Sequence, residues 1–405
     1  MEKVEDLQRH LRRLTAKAKN WNTVLKYAES IRNRSKIACI ELQQAVDRFF
    51  MDLDSDKYDL NSKAPEFCIQ IIEKTICHQQ GEKLDGTPLR GTPFLLEPFH
   101  KFIIYNLLGF YIKGTDVIRY HEALIYIPRK NIKTTFAASL AWALSLWYRK
   151  SGSKVYVTSA ALMQSLESFS FLDYNIKRMH EDAKHGGCVK VIDNNNEHSM
   201  TADFPDGSLF IRALAANPDA QDSLNCNIAI VDEIHALKQP KQYNLFKEAM
   251  KAYTNKLIIG ISTAGDNENS FLGNRLKYCR KVLNGTVTDE QYFIFMCCAN
   301  PDENDNIDYT NPKVHEMANP GYGASIRPEE LLNDSLQAQN DPQQRKDFYA
   351  KSLNVYTSAM KAYFDIQEFR KSDRKYNWTL AELVKLPIES TLGNSIENKQ
   401  ENVDF

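Results

Sequence analysis

Between positions 122 and 298, five short apolar runs alternate with stretches of helical periodicity, and this alternation limits the fold more than any other feature. The runs are EALIYI (122–127), SKVYVTS (153–159), CNIAIVD (226–232), KLIIGIS (256–262) and QYFIFMCC (291–298). Helical patterns fall between them at about 134–149, 162–180, 240–252 and 271–283. Strands that are apolar on both faces and separated by helices predict a mostly parallel sheet covered on both sides, an α/β fold. The segment 193–214 interrupts the alternation, and its Asp206-Gly207 pair predicts a hairpin turn.

The first of these units carries chemistry. The strand ends at Ile127, a short loop follows with Arg129, Lys130 and Lys133, and a long apolar helix opens at Thr134. The loop matches the end of a phosphate-binding consensus, G-x-x-x-x-G-K-[ST], with Ile127 and Ile132 where glycines are expected. Helix N-termini favour phosphate because their first N–H groups are unpaired and the helix dipole is positive there. Lys133 would neutralise β- and γ-phosphate charge, and the Thr134 hydroxyl would hold Mg²⁺. A solvated cluster of cations is the competing explanation. It leaves positive side chains at the positive end of a helix with no anion to balance them.

IAIVDEIHAL (228–237) sharpens the choice. Four apolar residues followed by Asp232-Glu233 place two carboxylates at a strand end, one to hold Mg²⁺ and one to activate the attacking water. Further on, LIIGISTAGDN (257–267) puts the hydroxyls of Ser262 and Thr263 at the tip of another strand, where they can report hydrolysis to the rest of the fold.

Taken together, these segments resemble the ATPase domain of the large terminase subunit of tailed bacteriophages, over roughly 85–360. The resemblance also includes LEPFHKFIIYNLLGF (96–110), SGSKVYVTSAALMQSLESF (151–169) and DFYAKSLNVY (347–356). It implies a RecA-like P-loop ATPase that binds ATP and Mg²⁺. Arg129, Lys130, Asn131, Lys133, Thr134 and Thr135 would form the nucleotide loop, with Thr134 and Asp232 as metal ligands. Glu233 would be catalytic, Arg129 would bind phosphate or stabilise the transition state, and Ser262 and Thr263 would couple hydrolysis to movement. His100 stands where the family commonly has a glutamine that reads adenine, so the resemblance makes it a nucleotide-binding residue. The implied partners are double-stranded DNA contacted through its backbone, the portal ring, the small terminase subunit and further copies of the chain in a ring. The implied setting is the cytoplasm of a bacterial host, transiently on a procapsid.

Ile132 departs from the family, which keeps glycine before the lysine. A β-branched residue resists positive φ, so a loop held at negative φ, with weakened nucleotide binding, is expected. The family usually continues into a metal-dependent nuclease domain. Only 45 residues follow position 360 here, and their acids do not end apolar strands. The expected organisation is an N-terminal helical arm (1–84), the ATPase (85–360) and a linker or truncated nuclease start (361–405), with no nuclease activity. Two alternatives stay open: a truncated prophage relic that folds without turnover, and a helicase-like P-loop ATPase.

The remaining composition narrows the setting. Lys and Arg total 51 against 52 Asp and Glu, so contact with nucleic acid requires a local basic patch. Eight scattered cysteines with no C-x-x-C pair suit a reducing compartment. The apolar stretches at 95–112 and 136–148 are broken or too short to span a bilayer, and the chain reads as soluble and intracellular. DLDSDKYD (52–59) starts like a calcium loop but has Lys57 and Lys63 where glycine and glutamate are required, so it reads as a helix end and turn.

Overall fold

The structure, a computed structural model, describes residues 18–182, 189–215 and 224–356. The tail at 361–405 and the first 17 residues lie outside this range, and with them the expectation about a nuclease.

Two helices lead, α1 (Trp21–Arg32) and α2 (Ile40–Leu53), followed by β1 (Tyr58–Leu60), α3 (Lys63–Thr75), α4 (Pro98–Gly109) and β2 (Phe110–Ile112). The central region runs β3 (Glu122–Tyr126), α5 (Lys133–Trp147), β4 (Ser153–Ser159), α6 (Leu162–Asp182), β5 (Val189–Asp193), β6 (His198–Phe204), β7 (Gly207–Ala215) and β8 (Ile228–Asp232). It continues through α7 (Lys241–Ala249), β9 (Leu257–Ser262), α8 (Phe271–Leu283) and β10 (Tyr292–Met296). Three short helices close the described chain: α9 (Pro312–Ala318), α10 (Pro328–Ala338) and α11 (Pro342–Lys351).

Eight strands form one sheet in the order β10-β3-β9-β8-β4-β7-β6-β5. Every pairing from β10 to β7 is parallel, and β7-β6 and β6-β5 are antiparallel. β9 lies between β3 and β8, so the strand feeding the phosphate loop and the strand ending in Asp232 both abut the strand ending in Ser262. This single insertion brings the three sequence motifs together at the carboxyl ends of adjacent strands, where open α/β sheets bind ligands.

Helix α5 packs against the sheet. Phe136, Ala137, Ala138, Leu140, Ala141, Trp142, Ala143 and Leu144 are all buried, which explains why its sequence shows no polar face. The alanines let the helix axis approach the strands closely. Gly260 in the middle of β9 has a comparable role: a Cβ there would sit 2.2 Å from Ile234 Cδ1. The chain leaving Asp232 can fold back over β9 because that position has no side chain.

The hairpin turn is shifted from the expected pair. Phe204 pairs with Gly207, leaving Pro205 and Asp206 as the central residues. Gly207 has φ +152°, and a Cβ there would lie 2.1 Å from Arg149 O. Close approach of the 149–151 turn therefore fixes the glycine.

Residues 21–76 share their core with the sheet domain. Trp21 packs on Phe49 and Tyr105, and Tyr27 on Phe102. The buried Glu66 accepts hydrogen bonds from Asn20 N–H and the Tyr105 hydroxyl. The helix α2 ends at Leu53 and residues 58–60 form a strand paired with β2, so 52–57 is a helix end and turn, and 58–59 begin a strand. A second, smaller apolar cluster joins α9, α10 and α11 through Ala318, Ile326, Leu331, Ala338, Phe348 and Leu353. Among the described residues, no helix is long and apolar enough to cross a membrane, and the seven cysteines are free and buried.

Candidate functional site

Three chain segments form an open cleft of about 460 Å³ at the carboxyl edge of the sheet. The loop after β3 contributes Arg129 and Lys130, and Ile132 through Thr135. The start of α6 contributes Gln164 and Glu167, and the end of β8 contributes Asp232 and Glu233.

The loop takes the left-handed backbone conformation at two residues that are not glycine. Lys130 and Ile132 have φ +66° and +56°. The expectation of a negative-φ loop is therefore wrong. Reversal of the chain from strand into helix requires the left-handed conformation, and Ile132 adopts it at a cost of order 1–3 kcal/mol. Surrounding bonds hold the strain. Ile127 N–H donates to Ser262 O at 3.1 Å and Arg129 N–H to Lys351 O at 2.9 Å.

Asn131, expected among the nucleotide contacts, points away from the cleft and is fully buried. Its Nδ2 donates to Asn319 Oδ1 at 2.9 Å, and its Oδ1 accepts from Gly321 N–H at 3.0 Å. The amide ties the loop to the helical layer, which sequence spacing could not reveal because the partners lie 188 and 190 residues away.

Lys133 is the first residue of α5 and is 7% exposed. Its ammonium donates to Pro128 O at 2.8 Å. Burial pushes its pKa down to about 8, against the opposing charges of Glu233 and Asp232. A single loop carbonyl thus holds a cation that a phosphate would bind more strongly.

Asp232, 3% exposed, faces Thr134: Thr134 Oγ1 donates to Oδ2 at 3.3 Å, and Glu233 N–H donates to Oδ1 at 2.9 Å. Burial, then the Glu233 charge, raises its pKa to about 6. A buried carboxylate with so little compensation, beside a hydroxyl, fits a hard divalent cation that takes oxygen ligands.

Glu233 has φ +52°, which turns its side chain toward the cleft. Burial raises its pKa, but the His235 hydrogen bond and the charges of Lys133, His235 and Arg129 outweigh burial and hold the carboxyl below its usual value. It is ionised, as an acceptor of protons must be. His235 Nδ1 lies 3.0 Å from Glu233 Oε2. The sequence reading left His235 without a role, although its position two residues after Glu233 was the available signal.

Ser262 and Thr263 are buried behind this pair and do not line the cleft. Ser262 Oγ accepts the His235 N–H at 3.0 Å and donates to Thr263 O at 3.0 Å. Beyond them, Ala264 N–H donates to Asn354 Oδ1 at 2.7 Å, and Asn354 Nδ2 donates to Cys297 O at 2.9 Å.

His100 is far from solvent at 1% exposure. Its ring lies between Phe99 and Phe136, with centroids at 3.9 and 4.5 Å, and its Nδ1 accepts Glu97 N–H at 3.2 Å in a helix-capping box. Burial pushes its pKa down to about 3, so it is neutral. The structure makes it a packed core residue, set apart from the residues lining the cleft.

The central part of the chain is similar to known proteins. The family described as terminase large subunit, ATPase domain, matches residues 98–281. Protein YmfN of Escherichia coli (strain K12) is 31% identical over 154 residues, covering 38% of this chain and 33% of that protein. The crystal structure of the HK97 bacteriophage large terminase shares the fold with a TM-score of 0.55 at 20% identity, over 72% of this chain and 55% of that one. The chain thus spans about a third and about half of these two relatives. Over residues 98–281, the chain is similar to the ATPase domain of terminase large subunits, and its fold is that of the HK97 large terminase.

Proposed function

We propose that this chain hydrolyses ATP with Mg²⁺ and is the motor portion of a machine that moves double-stranded DNA into a procapsid. The observation that carries the reading is the convergence of Lys133, Thr134, Asp232 and Glu233 on one cleft from strands separated by a single intervening strand.

Lys133 and Arg129 bind the phosphates, with Lys130 and Thr135 lining the same cleft. Thr134 and Asp232 would hold Mg²⁺, which would supply positive charge to offset that of the phosphates. Glu233 orients a water and accepts its proton as the water oxygen attacks the γ-phosphorus. The bond to the bridging oxygen then breaks and ADP leaves. His235 positions Glu233 and relays its state to Ser262 and Thr263. Portal ring, small terminase subunit and further copies of the chain are the partners of such a motor, and contact with DNA is to its backbone and sensitive to salt.

Ile132 at positive φ, with Lys133 turned onto Pro128 O, favours one other reading: a retained fold that does not turn over. Steady-state ATP hydrolysis with and without double-stranded DNA, beside Lys133→Ala, separates the two. Turnover that depends on DNA and on Lys133 supports the motor; an absence of both turnover and nucleotide binding supports the inert fold.

A further inference from the structure

The phosphate cleft continues into a second opening of about 620 Å³, with Thr134, Thr135 and Glu167 lining both. The rest of its wall comes from the start of α6 and from the loop after α3. Met163, Leu166 and Phe171 supply an apolar face, and His78, Gln79 and Gln80 supply a polar edge. Of its ten lining residues only Glu167 carries a full charge at neutral pH. The opening on the other side of Arg129 differs, because six of its eleven lining residues are charged: Arg129, Lys130, Arg327, Glu330, Asp334 and Lys351.

Accepting that triphosphate binds the loop before α5, we propose that the nucleotide's base enters the cleft between α6 and residues 78–80, with the Gln79 and Gln80 carboxamides reading its edge. Adenine fits that chemistry. Its amino group and ring nitrogen match the carbonyl and amide of a glutamine, the pairing proteins use to read adenine elsewhere. Among the described residues neither Gln79 nor Gln80 makes a side-chain hydrogen bond, so both amides can turn to a ligand.

Met163 is 77% exposed at the mouth of the opening. A flexible thioether is suited to lie over an aromatic face. The loop carrying the glutamines is anchored on either side. Cys77 N–H donates to Asn175 Oδ1 at 2.7 Å, and His78 N–H donates to Thr92 O at 2.9 Å. The edge that reads the base is therefore fixed to α6, which also forms the opposite wall. His100 cannot take the role, since Phe99 and Phe136 enclose its ring.

Calorimetric titration of the full chain with Mg²⁺-ATP and with Mg²⁺-tripolyphosphate tests this directly, because tripolyphosphate has no base. The Gln79→Ala/Gln80→Ala double variant should weaken ATP binding about tenfold and leave tripolyphosphate binding unchanged. Met163→Glu should act the same way, since it places a carboxylate where the base would stack. ATP binding unchanged in both variants overturns the base site, and so does equal weakening of both ligands. If Lys133→Ala leaves ATP and tripolyphosphate binding intact, the phosphate reading itself fails, and the base site fails with it.

Discussion

His235 Nδ1 lies 3.0 Å from Glu233 Oε2, and the same imidazole nitrogen is 3.3 Å from Ser262 Oγ. One ring thus joins the carboxylate facing the cleft to the hydroxyl at the tip of β9. A group that orients a general base contributes to the transition state more than to ground-state binding. His235→Ala should lower kcat by about ten- to a hundredfold and change KM less than about threefold. His235→Gln, which keeps a donor, should recover part of the loss. An unchanged kcat in the alanine variant would remove His235 from the mechanism.

Ile132 carries a conformational strain that can be measured without reference to activity. Ile132→Gly and Ile132→Ala both delete the side chain that packs against the core, so they differ mainly in tolerance of φ +56°. The glycine variant should be more stable than the alanine variant by about 1 kcal/mol, after glycine's own entropic cost. Urea unfolding of the two reads this difference. An alanine variant as stable as the glycine variant would show that the loop does not hold positive φ.

The two perturbed charges predict a window of pH for nucleotide binding. Asp232 titrates near 6, raised by burial and by Glu233, and must lose its proton to hold a cation. Lys133 titrates near 8, lowered by burial, and must keep its proton to bind phosphate. Below about pH 6 Asp232, the proposed metal ligand, is protonated, and above about pH 8 the lysine is neutral. Affinity for Mg²⁺-ATP should therefore peak between these values and fall by up to about tenfold per pH unit on either side. Asp232→Asn should abolish the acid limb and, by removing one of the charges that support the Lys133 ammonium, move the alkaline limb to lower pH; an acid limb that survives would assign it to another group.

Asn354 joins three strand ends at once. It bonds Ala264 N–H and Cys297 O, while its own carbonyl accepts the Tyr126 hydroxyl at 2.8 Å. It also has φ +59°, which asparagine tolerates better than most residues. Asn354→Ala strands two buried backbone groups and should cost about 3 kcal/mol, measured by denaturant unfolding. A loss below about 1 kcal/mol would mean that the loop after Ser262 is held by other contacts.

The strands and helices of the central sheet were legible because their periodicity is local: β4 and α8 occupy 153–159 and 271–283, as their patterns indicate. Lys133 and Thr134, which open a helix after the first apolar run, and Asp232 and Glu233, which follow another, were legible for the same reason. What sequence spacing could not show depends on partners far along the chain. Asn131 reads as a phosphate-loop residue until Asn319 and Gly321 occupy its amide. His100 reads as a ligand until Phe136 covers it. The Ile132 conformation was misjudged because intrinsic preference was weighed without the tertiary bonds that override it.

The cleft at Lys133, Thr134, Asp232 and Glu233 is proposed to bind ATP, with Glu233 acting on the attacking water. The direct measurement is Mg²⁺-ATP binding and turnover by Glu233→Gln beside the unaltered protein. Binding within about threefold of the unaltered protein, with turnover reduced at least about a hundredfold, is the predicted result. Turnover that persists in Glu233→Gln would contradict it.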